Sequence, residues 1–321
     1  MNKKCLIIGY GSIGKRHAKV LKNMGNEVHI VTEQKINKYK IFRAIPDSRQ
    51  LKAYDYIVIS IPTADHYKAL TKLSCNGFSN TLLMEKPLFD NLPLSGKDNE
   101  FVKSSEKSYN NLSFPFQIFI GYNLRFHPVL QKIYDLIEDQ QIYSMHVYCG
   151  QYLPLWRENQ DYKKNYSANK KLGGGVLRDL SHELDYICWL TGEWQSVAAL
   201  GGKFSNLEID SDDLFCILLE TKKCPAVSLQ INYLDLNPKR QIIINTQDFS
   251  LKADLIKGIL EINDKKQIYD VKTDDSYINE HHSILSGENS FACTYEEGIH
   301  IVELIEACEK AAKGKIWVKR D

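Results

Sequence analysis

The sequence lacks an excess of charge of either sign, with 41 Lys and Arg residues against 40 Asp and Glu residues. Nucleic-acid binders need a basic surplus, so this balance argues against a nucleic-acid partner. No apolar stretch approaches the roughly 18 residues of a membrane-spanning helix. The first apolar run is short and ends at Gly9, which does not suit a signal peptide. We therefore expect a cytoplasmic protein without a membrane partner.

The eight cysteines lack the spacing of a metal or disulfide framework, since no two form a Cys-x-x-Cys pair. Several lie inside apolar runs, as Cys5 does before Leu6 and Cys216 does after Phe215. Buried free thiols in a reducing compartment are the expected state. No metal ion is expected, and a zinc enzyme is disfavoured.

The N-terminal part of the sequence alternates strand-like and helix-like segments. Residues 4–8 and 28–32 are strand-like, and residues 13–24 between them carry apolar side chains at helical spacing. Further strands are expected at 56–61, 81–84 and 117–121, and helices at 64–76 and 95–110. This alternation predicts an α/β domain with a doubly wound parallel Rossmann sheet over residues 1–122.

The pattern changes in the second part, residues 123–321. Helices are expected at 128–139 and 175–191. Strand-like runs then follow one another at 197–204, 213–221, 225–233, 240–246, 249–254 and 258–262. Such runs predict a second α/β domain with a large, mostly antiparallel open sheet. Residues 263–290 are expected to be loop and 295–313 a closing helix, and packing of this C-terminal helix on the first domain is left open.

A glycine-rich turn, G-x-G-x-x-G, joins the first strand to the first helix. Gly9 allows a tight turn, Gly11 lets the backbone approach a pyrophosphate, and Gly14 lets helix and strand pack closely. The helix start then offers unpaired N–H groups to phosphate oxygens. The turn predicts a dinucleotide site that includes Ser12 and Ile13.

The end of the second strand bears on which dinucleotide binds. Glu33 lies 19 residues after Gly14, near the spacing of about 20 at which an acidic residue contacts the ribose of NAD. Thr32 is the alternative occupant of this position, since a small hydroxyl leaves room for a 2′-phosphate that Lys35 could pair with. Because Glu33 would repel that phosphate, NAD is the expected cofactor, and NADP stays open.

Four segments occur in an order and at a spacing that resemble the glucose–fructose oxidoreductase / inositol dehydrogenase / rhizopine-catabolism (Gfo/Idh/MocA) family. They are residues 9–14, 62–66, 85–87 and 173–185. The resemblance covers essentially the whole chain and implies a Rossmann domain, a largely antiparallel α/β domain and an NAD(P)-dependent oxidoreductase. It also implies a homo-oligomer, a dimer or tetramer, formed through the open sheet face. The residues it places on the cofactor side are Pro62, Thr63, His66, Glu85, Lys86 and Asn123.

The resemblance implies that Lys86 lies beside the nicotinamide and the substrate hydroxyl. A cation there stabilises the alkoxide charge that develops as hydride leaves, and a partly buried lysine can relay the proton. His182 follows Asp179 by three residues, so both lie on one helical face as a general acid–base pair. In the family the aspartate usually precedes the histidine by four residues, where this chain has Arg178, so the group that positions the substrate stays open.

Aromatic and basic side chains precede the glycine run, and they suit a sugar ring that carries an acidic group or a phosphate. The substrate candidates among them are Tyr152, Trp156, Arg157 and Tyr166, in addition to Lys86, Asp179 and His182. This loop and the Gly-Ser-Ile-Gly-Lys-Arg-His start resemble family members found with surface-polysaccharide and nonulosonic-acid genes.

The expected reaction is hydride transfer between the nicotinamide and a secondary alcohol or ketone of a sugar or sugar derivative. An acidic or nucleotide-linked sugar of surface-polysaccharide biosynthesis is one option. Reduction of another carbonyl or imine substrate is the first alternative. The second is a non-catalytic, dinucleotide-gated regulator; relatives of that kind have lost the lysine, whereas Lys86 and His182 are present here.

Overall fold

The computed structural model describes residues 2–93, 114–157 and 160–320 of the chain, so the helix expected at 95–110 lies outside the described residues. The chain divides into two compact units. The first contains Met1–Asn123 and Asp274–Val302, and the second contains Leu124–Thr273 and Glu303–Asp321. Residues 274–302 therefore group with the first unit.

The first unit is built on a parallel sheet. Its parallel strands are β1 (Lys4–Ile8), β2 (Glu27–Val31), β3 (Lys40–Phe42), β4 (Tyr56–Ile59), β5 (Thr81–Met84) and β6 (Gln117–Ile120). They lie in the order β6-β5-β4-β1-β2-β3, with Ile7 opposite Ile30 on one side and Val58 on the other. The short edge strand β3 was not predicted, because three residues at an edge give too little apolar signal.

Helices connect these strands and pack by their apolar sides. They are α1 (Ser12–Asn23), α2 (Ser48–Leu51) and α3 (His66–Cys75). Helix α1 buries Ala18, Val20 and Leu21, and its lysines stay exposed. The strands of the sheet centre are buried over most of their length, as a sheet covered on both faces requires. This unit is the predicted doubly wound fold.

The second unit opens with α4 (Pro128–Ile137), β7 (Ile142–Gly150), α5 (Val176–Asp179) and α6 (His182–Thr191). The strands that follow are β8 (Trp194–Gly202), β9 (Leu214–Thr221), β10 (Val227–Asn232), β11 (Lys239–Thr246), β12 (Ser250–Asp254), β13 (Ile259–Ile262) and β14 (Lys265–Ile268). Their order is β14-β13-β12-β11-β7-β10-β9-β8, and neighbours are antiparallel except β7 and β10. The predicted large, mostly antiparallel sheet is therefore present.

The last segment was partly mispredicted. Residues 263–290 were expected to be loop, but they contain β14 and α7 (Asp275–Ser286). Helix α7 buries the polar residues Glu280 and His281 beside Tyr277 and Ile284, so it shows no apolar helical period. The chain ends with β15 (Cys293–Thr294), antiparallel to β6, then α8 (Tyr295–Gly314) and β16 (Val318–Lys319), which pairs with β8.

All eight cysteines are free, and Cys5, Cys149, Cys224, Cys293 and Cys308 are buried, whereas Cys75 is exposed. Among the helices that the structure describes, none combines the length and hydrophobicity of a membrane span. Over the same residues, no group of three or more His, Cys, Asp or Glu side chains is arranged to hold a metal ion.

Candidate functional site

The glycines of the turn between β1 and α1 have different structural roles. Gly9 has a φ of 101°, and a Cβ there would lie 2.5 Å from the carbonyl oxygen of Ser60. A Cβ on Gly14 would overlap the carbonyl oxygen of Gly9. Gly11 differs, because a Cβ there would meet no atom within 4 Å. The fold thus requires glycine at positions 9 and 14. At Gly11 the space that a side chain would occupy stays open.

Helix α1 begins beside this space with its backbone N–H groups available. Gly11 is the residue before the helix and supplies no capping side chain, and the first turn contains no acidic residue. The first N–H groups of any helix lack an intrahelical acceptor, and the positive end of the helix dipole favours an anion there. The exposed Ser12 adds a hydroxyl at the same point. The turn therefore fits a dinucleotide pyrophosphate.

The end of β2 holds both residues considered for the ribose. Thr32 is half-buried, and Glu33 and Lys35 are exposed. Arg43, which follows β3, donates from Nη1 to the carbonyl oxygens of Thr32 at 3.2 Å and Glu33 at 2.5 Å. Arg43 thereby fixes the backbone that carries Glu33. The sequence spacing did not reveal it, because β3 itself was not predicted.

Lys86 follows the carboxyl end of β5 in the turn Glu85-Lys86-Pro87. Its side chain is partly exposed, whereas Glu85 is buried. The Glu85 Oε1 atom lies 2.8 Å from His17 Nε2, and Glu85 Oε2 accepts the Lys86 backbone N–H at 3.3 Å. A Cβ on Gly121 would lie 2.9 Å from Glu85 Oε1, so this carboxylate occupies a close-fitting space.

Several residues expected on the cofactor side are held inside the first unit. His66 is fully buried, with Nδ1 at 3.1 Å from the Leu88 carbonyl oxygen and Nε2 at 3.1 Å from that of Ile61. Burial lowers the pKa of His66, against the opposite effect of the carbonyl oxygens that face both ring nitrogens. Thr63 is also buried, and Asn123 donates to Ser276 Oγ at 2.7 Å. His66 thus ties the loop after β4 to the turn after β5, and Pro62 remains half-buried.

The acid–base candidates lie where two short helices meet. The helix expected over 175–191 is broken, since α5 ends at Asp179 and α6 begins at His182. Both side chains are half-buried. The Asp179 Oδ2 atom accepts a hydrogen bond from the Tyr233 hydroxyl at 2.7 Å. Burial and the Asp179 charge hold the pKa of Tyr233 well above its ordinary value, so the phenol remains a donor.

Tyr233 is a site residue that the sequence did not reveal, because it lies 54 positions from Asp179 in a strand-like run. The Trp156 ring packs edge-on against Tyr233 with ring centres 5.1 Å apart. The Tyr166 hydroxyl donates to the Gly173 carbonyl oxygen at 2.5 Å. These two aromatic candidates therefore pack and hydrogen-bond beside the segment that contains Asp179 and His182. Tyr152 and Arg157 are partly exposed in the preceding loop.

Charged neighbours of the acid–base pair are engaged in ion pairs. Arg178, four residues before His182, is buried and contacts Glu309 at 2.6 Å. Burial opposes the charge of Arg178, but Glu309 outweighs burial and raises the pKa of the guanidinium. Asp185 is buried, and its carboxylate accepts hydrogen bonds from two nitrogens of Arg125, at 2.7 and 3.0 Å. Both pairs anchor helices, so Arg178 is an anchoring residue here.

This architecture defines a class of protein, a two-domain dinucleotide-dependent oxidoreductase. The model of the oxidoreductase family with an NAD-binding Rossmann fold matches residues 3–98, and the GFO/IDH/MocA C-terminal domain matches residues 130–248. The chain belongs to the Gfo/Idh/MocA oxidoreductase family. Its first domain is an NAD-binding Rossmann domain, which confirms the predicted fold class, family and cofactor.

Solved structures share the fold over the whole chain. Levoglucosan dehydrogenase in complex with NADH is 15% identical with a TM-score of 0.79, over 99% of each chain. A myo-inositol dehydrogenase from Corynebacterium glutamicum is 19% identical with a TM-score of 0.73, over 100% of this chain and 99% of that one. The WlbA dehydrogenase from Bordetella pertussis, in complex with NADH and UDP-GlcNAcA, is 16% identical with a TM-score of 0.75, over 100% of this chain and 99% of that one. No curated protein matches the chain significantly.

Proposed function

We propose that this oxidoreductase transfers hydride between NAD and a secondary alcohol or ketone of a sugar or sugar derivative. The observation that carries the proposal is the placement of the glycine turn and Lys86 at one edge of one sheet. The turn follows β1 and Lys86 follows β5, two strands away, which corresponds to about 10 Å. Ligands of doubly wound sheets bind at this carboxyl edge.

The cofactor would be held by Gly11, Ser12 and the start of α1 at its pyrophosphate, and by Glu33 at its ribose. Bound NAD supplies the hydride acceptor, and NADH the donor. The chain supplies the proton chemistry. The Lys86 ammonium stabilises negative charge on the substrate oxygen, and His182 takes the hydroxyl proton during oxidation or returns it during reduction. Asp179, held by the Tyr233 hydroxyl at 2.7 Å, orients the acid–base group.

The substrate class rests on the side chains of the second unit. Tyr152 and Arg157 offer a partly exposed aromatic ring and a guanidinium near Trp156, a combination that binds a sugar ring with an acidic group or phosphate. Two basic residues further along are paired, since Lys163 contacts Glu208 at 2.6 Å and Lys164 contacts Asp161 at 3.8 Å. Arg157 is thus the proposed anion contact. An acidic or nucleotide-linked sugar of surface-polysaccharide biosynthesis is the finer form of the proposal.

Titration of the purified protein with NADH and NADPH, followed by nicotinamide fluorescence, tests the cofactor part. We expect tight NADH binding and weaker NADPH binding, because Glu33 accepts from a ribose hydroxyl and repels a 2′-phosphate. A Glu33→Gln variant should lose most of this discrimination. The reverse preference in the wild-type protein would assign the pocket to Thr32 and Lys35, and binding of neither would refute the proposal.

Lys86→Met separates an enzyme from a dinucleotide-gated regulator. The wild-type and variant proteins are screened for NAD reduction against sugars, sugar acids and nucleotide sugars. We expect the variant to lose turnover by a factor of about 100 or more, since general acid–base groups contribute about that much, while it still binds NADH. A protein that binds NADH but turns over none of these substrates, and whose ligand binding is unchanged by Lys86→Met, would be the regulator.

We also propose a homo-oligomer formed through the open face of the second unit's sheet. Leu218, Ile243 and Trp317 are 54%, 37% and 57% exposed. They line a groove of about 570 Å³ together with Ser144, His146 and Ser228. This groove contains none of the candidate site residues, so its apolar character has no use in catalysis. Large exposed apolar patches mark interaction surfaces.

A further inference from the structure

Four buried side chains form one continuous line of contacts inside the first unit. The Tyr56 hydroxyl lies 3.0 Å from His281 Nδ1, and His281 Nε2 lies 2.8 Å from His17 Nδ1. His17 Nε2 then lies 2.8 Å from Glu85 Oε1. Tyr56, His17 and His281 are fully buried, and Glu85 is 8% exposed. The line runs from the sheet centre to the residue before Lys86.

The contact at Glu85 fixes the direction of the first hydrogen bond in this line. Both Glu85 oxygens face N–H groups, and a carboxylate only accepts, so His17 carries its proton on Nε2. The proposed line has a neutral His17 ring, whose Nδ1 then accepts from the His281 Nε2–H. His281 Nδ1 is then the acceptor for the Tyr56 hydroxyl. Burial lowers the pKa of His281 and raises that of Tyr56, so both are neutral.

Groups on the surrounding elements close the line off from water. The Tyr277 ring packs edge-on against His17 with ring centres 5.3 Å apart, and Arg16 lies over Tyr277. The buried Glu280, on α7, and the buried thiol of Cys5 add to the effect of burial in raising the pKa of Tyr56. A buried polar line of this kind is well ordered only when each donor meets an acceptor.

We propose that His17 and His281 are positioning residues for Lys86, which they hold through the Glu85 carboxylate, and that the line couples the pyrophosphate-binding helix to the catalytic turn. His17 lies on α1, the helix that begins at Ser12, and Glu85 accepts the Lys86 N–H. Through these contacts α1, which begins at the proposed pyrophosphate site, is connected to the turn after β5 that contains Lys86. This inference rests on the proposed function of Lys86 and of the glycine turn.

The hydrogen-bond directions are tested directly in the wild-type protein by ¹⁵N NMR of labelled histidines at pH 7.5. We expect both His17 and His281 as neutral rings with the proton on Nε2. Assignment comes from the single variants His17→Gln and His281→Gln. A proton on Nδ1 of either ring, or a doubly protonated His17, would overturn the proposed line.

The positioning role is tested with two isosteric variants that keep opposite halves of the His17 ring. The amide nitrogen of His17→Gln occupies the Nε2 position and can still donate to Glu85, whereas the amide of His17→Asn reaches only the Nδ1 side. We expect His17→Gln to bind NADH within about threefold of the wild type. His17→Asn should bind about tenfold more weakly, the effect of losing one hydrogen bond to a charged group.

His29→Gln is the matched control, because His29 makes a comparable buried contact to the Tyr54 hydroxyl at 2.7 Å, away from the turn. It should leave NADH affinity unchanged, and thermal melts confirm that each variant is folded. Equal affinities for the Gln and Asn variants of His17 would refute the coupling of α1 to the turn, and equal kcat values for the two variants would refute the positioning of Lys86. If the wild-type protein itself binds no NADH, the proposed function and the positioning role both fall, while the NMR result still decides the hydrogen-bond line.

Discussion

Single residues of the glycine turn differ in what they do, and sequence spacing alone treats them alike. Gly9 and Gly14 face backbone atoms at distances that exclude any side chain. Gly11 has a φ of −73° and open space where a Cβ would be. Its conformation is one that alanine adopts readily. In the part of the chain that the structure describes, no atom outside its chain neighbours and its own helix lies within 4 Å of an alanine Cβ at position 11, so we expect that side chain to meet the pyrophosphate of a bound cofactor.

Gly11→Ala should therefore fold normally and bind NADH poorly. Replacing glycine where the backbone is compatible stabilises a protein by about 0.4–1 kcal/mol through the unfolded chain, so the melting temperature should stay level or rise slightly. NADH affinity should fall at least about tenfold, because the methyl group displaces the pyrophosphate from the helix start. Fluorescence titration and thermal melts measure both effects.

Gly14→Ala provides the contrast, since its Cβ would overlap the carbonyl oxygen of Gly9. This variant should lose stability by about 1–3 kcal/mol, the usual cost of overpacking. A Gly11→Ala protein that binds NADH as tightly as the wild type would contradict the placement of the pyrophosphate at this turn.

The candidate site residues that the sequence predicts are those whose proposed role depends on local chain geometry. The glycine turn, Lys86 and the Asp179–His182 pair each follow from a short motif. Tyr233 and Arg43 did not emerge, because their contacts join positions 54 and 10 residues apart. The His17–His281 contact spans 264 residues. No motif relates the two members of these contacts, so these partners could come only from the folded chain.

At the scale of elements, apolar periodicity predicted the helices and strands whose buried side is hydrophobic. Helix α7 was missed because Glu280 and His281 occupy its buried side. Strand β7 was also missed, although polar residues such as His146 alternate with buried ones along it, which is the pattern of a half-exposed strand. The break between α5 and α6 also escaped prediction, since Leu180 and Ser181 fit a helical pattern and the backbone geometry alone separates them.

His127 begins α4, and its ring links this helix to the second unit's sheet. Its Nδ1 accepts the Val129 N–H at 3.2 Å, and Nε2 donates to the Leu255 carbonyl oxygen at 3.0 Å. Both contacts require the neutral ring, and burial lowers the pKa of His127 to about 4. A histidine with a depressed pKa contributes stability above the unfolded value of about 6.5 and loses it as pH falls.

Unfolding measured in urea between pH 7.5 and 4 should show this loss. One such histidine costs about 1.4 kcal/mol per pH unit below about pH 6.5 and about 3 kcal/mol by pH 4. Asparagine also caps helices, so His127→Asn should lose only about 1 kcal/mol at pH 7.5 and should show a shallower dependence on pH. The same slope in both proteins would mean that His127 does not titrate as proposed.

At the scale of the whole molecule, the fold and the family agree along nearly all of the chain. The two family models match residues 3–98 and 130–248, and these ranges correspond to the two sheets that strand patterns predict. What the sequence left undetermined is the use of the second sheet's outer face. Strand alternation predicts an exposed face, but the apolar residues on it become a continuous groove only when five strands lie side by side.

Leu218→Glu tests whether this groove is the contact between copies of the chain. In a twofold-symmetric contact one substitution appears on both surfaces, so the change places two like charges in an apolar interface. At about 2 kcal/mol for each of the two unpaired buried charges, association should weaken by about 1,000-fold. Light scattering coupled to size-exclusion chromatography should show a dimer or tetramer for the wild type and a smaller species for Leu218→Glu. Ile256→Glu, in an exposed turn that does not line the groove, should keep the wild-type mass. A wild-type monomer, or equal masses for all three proteins, would assign the groove to another partner.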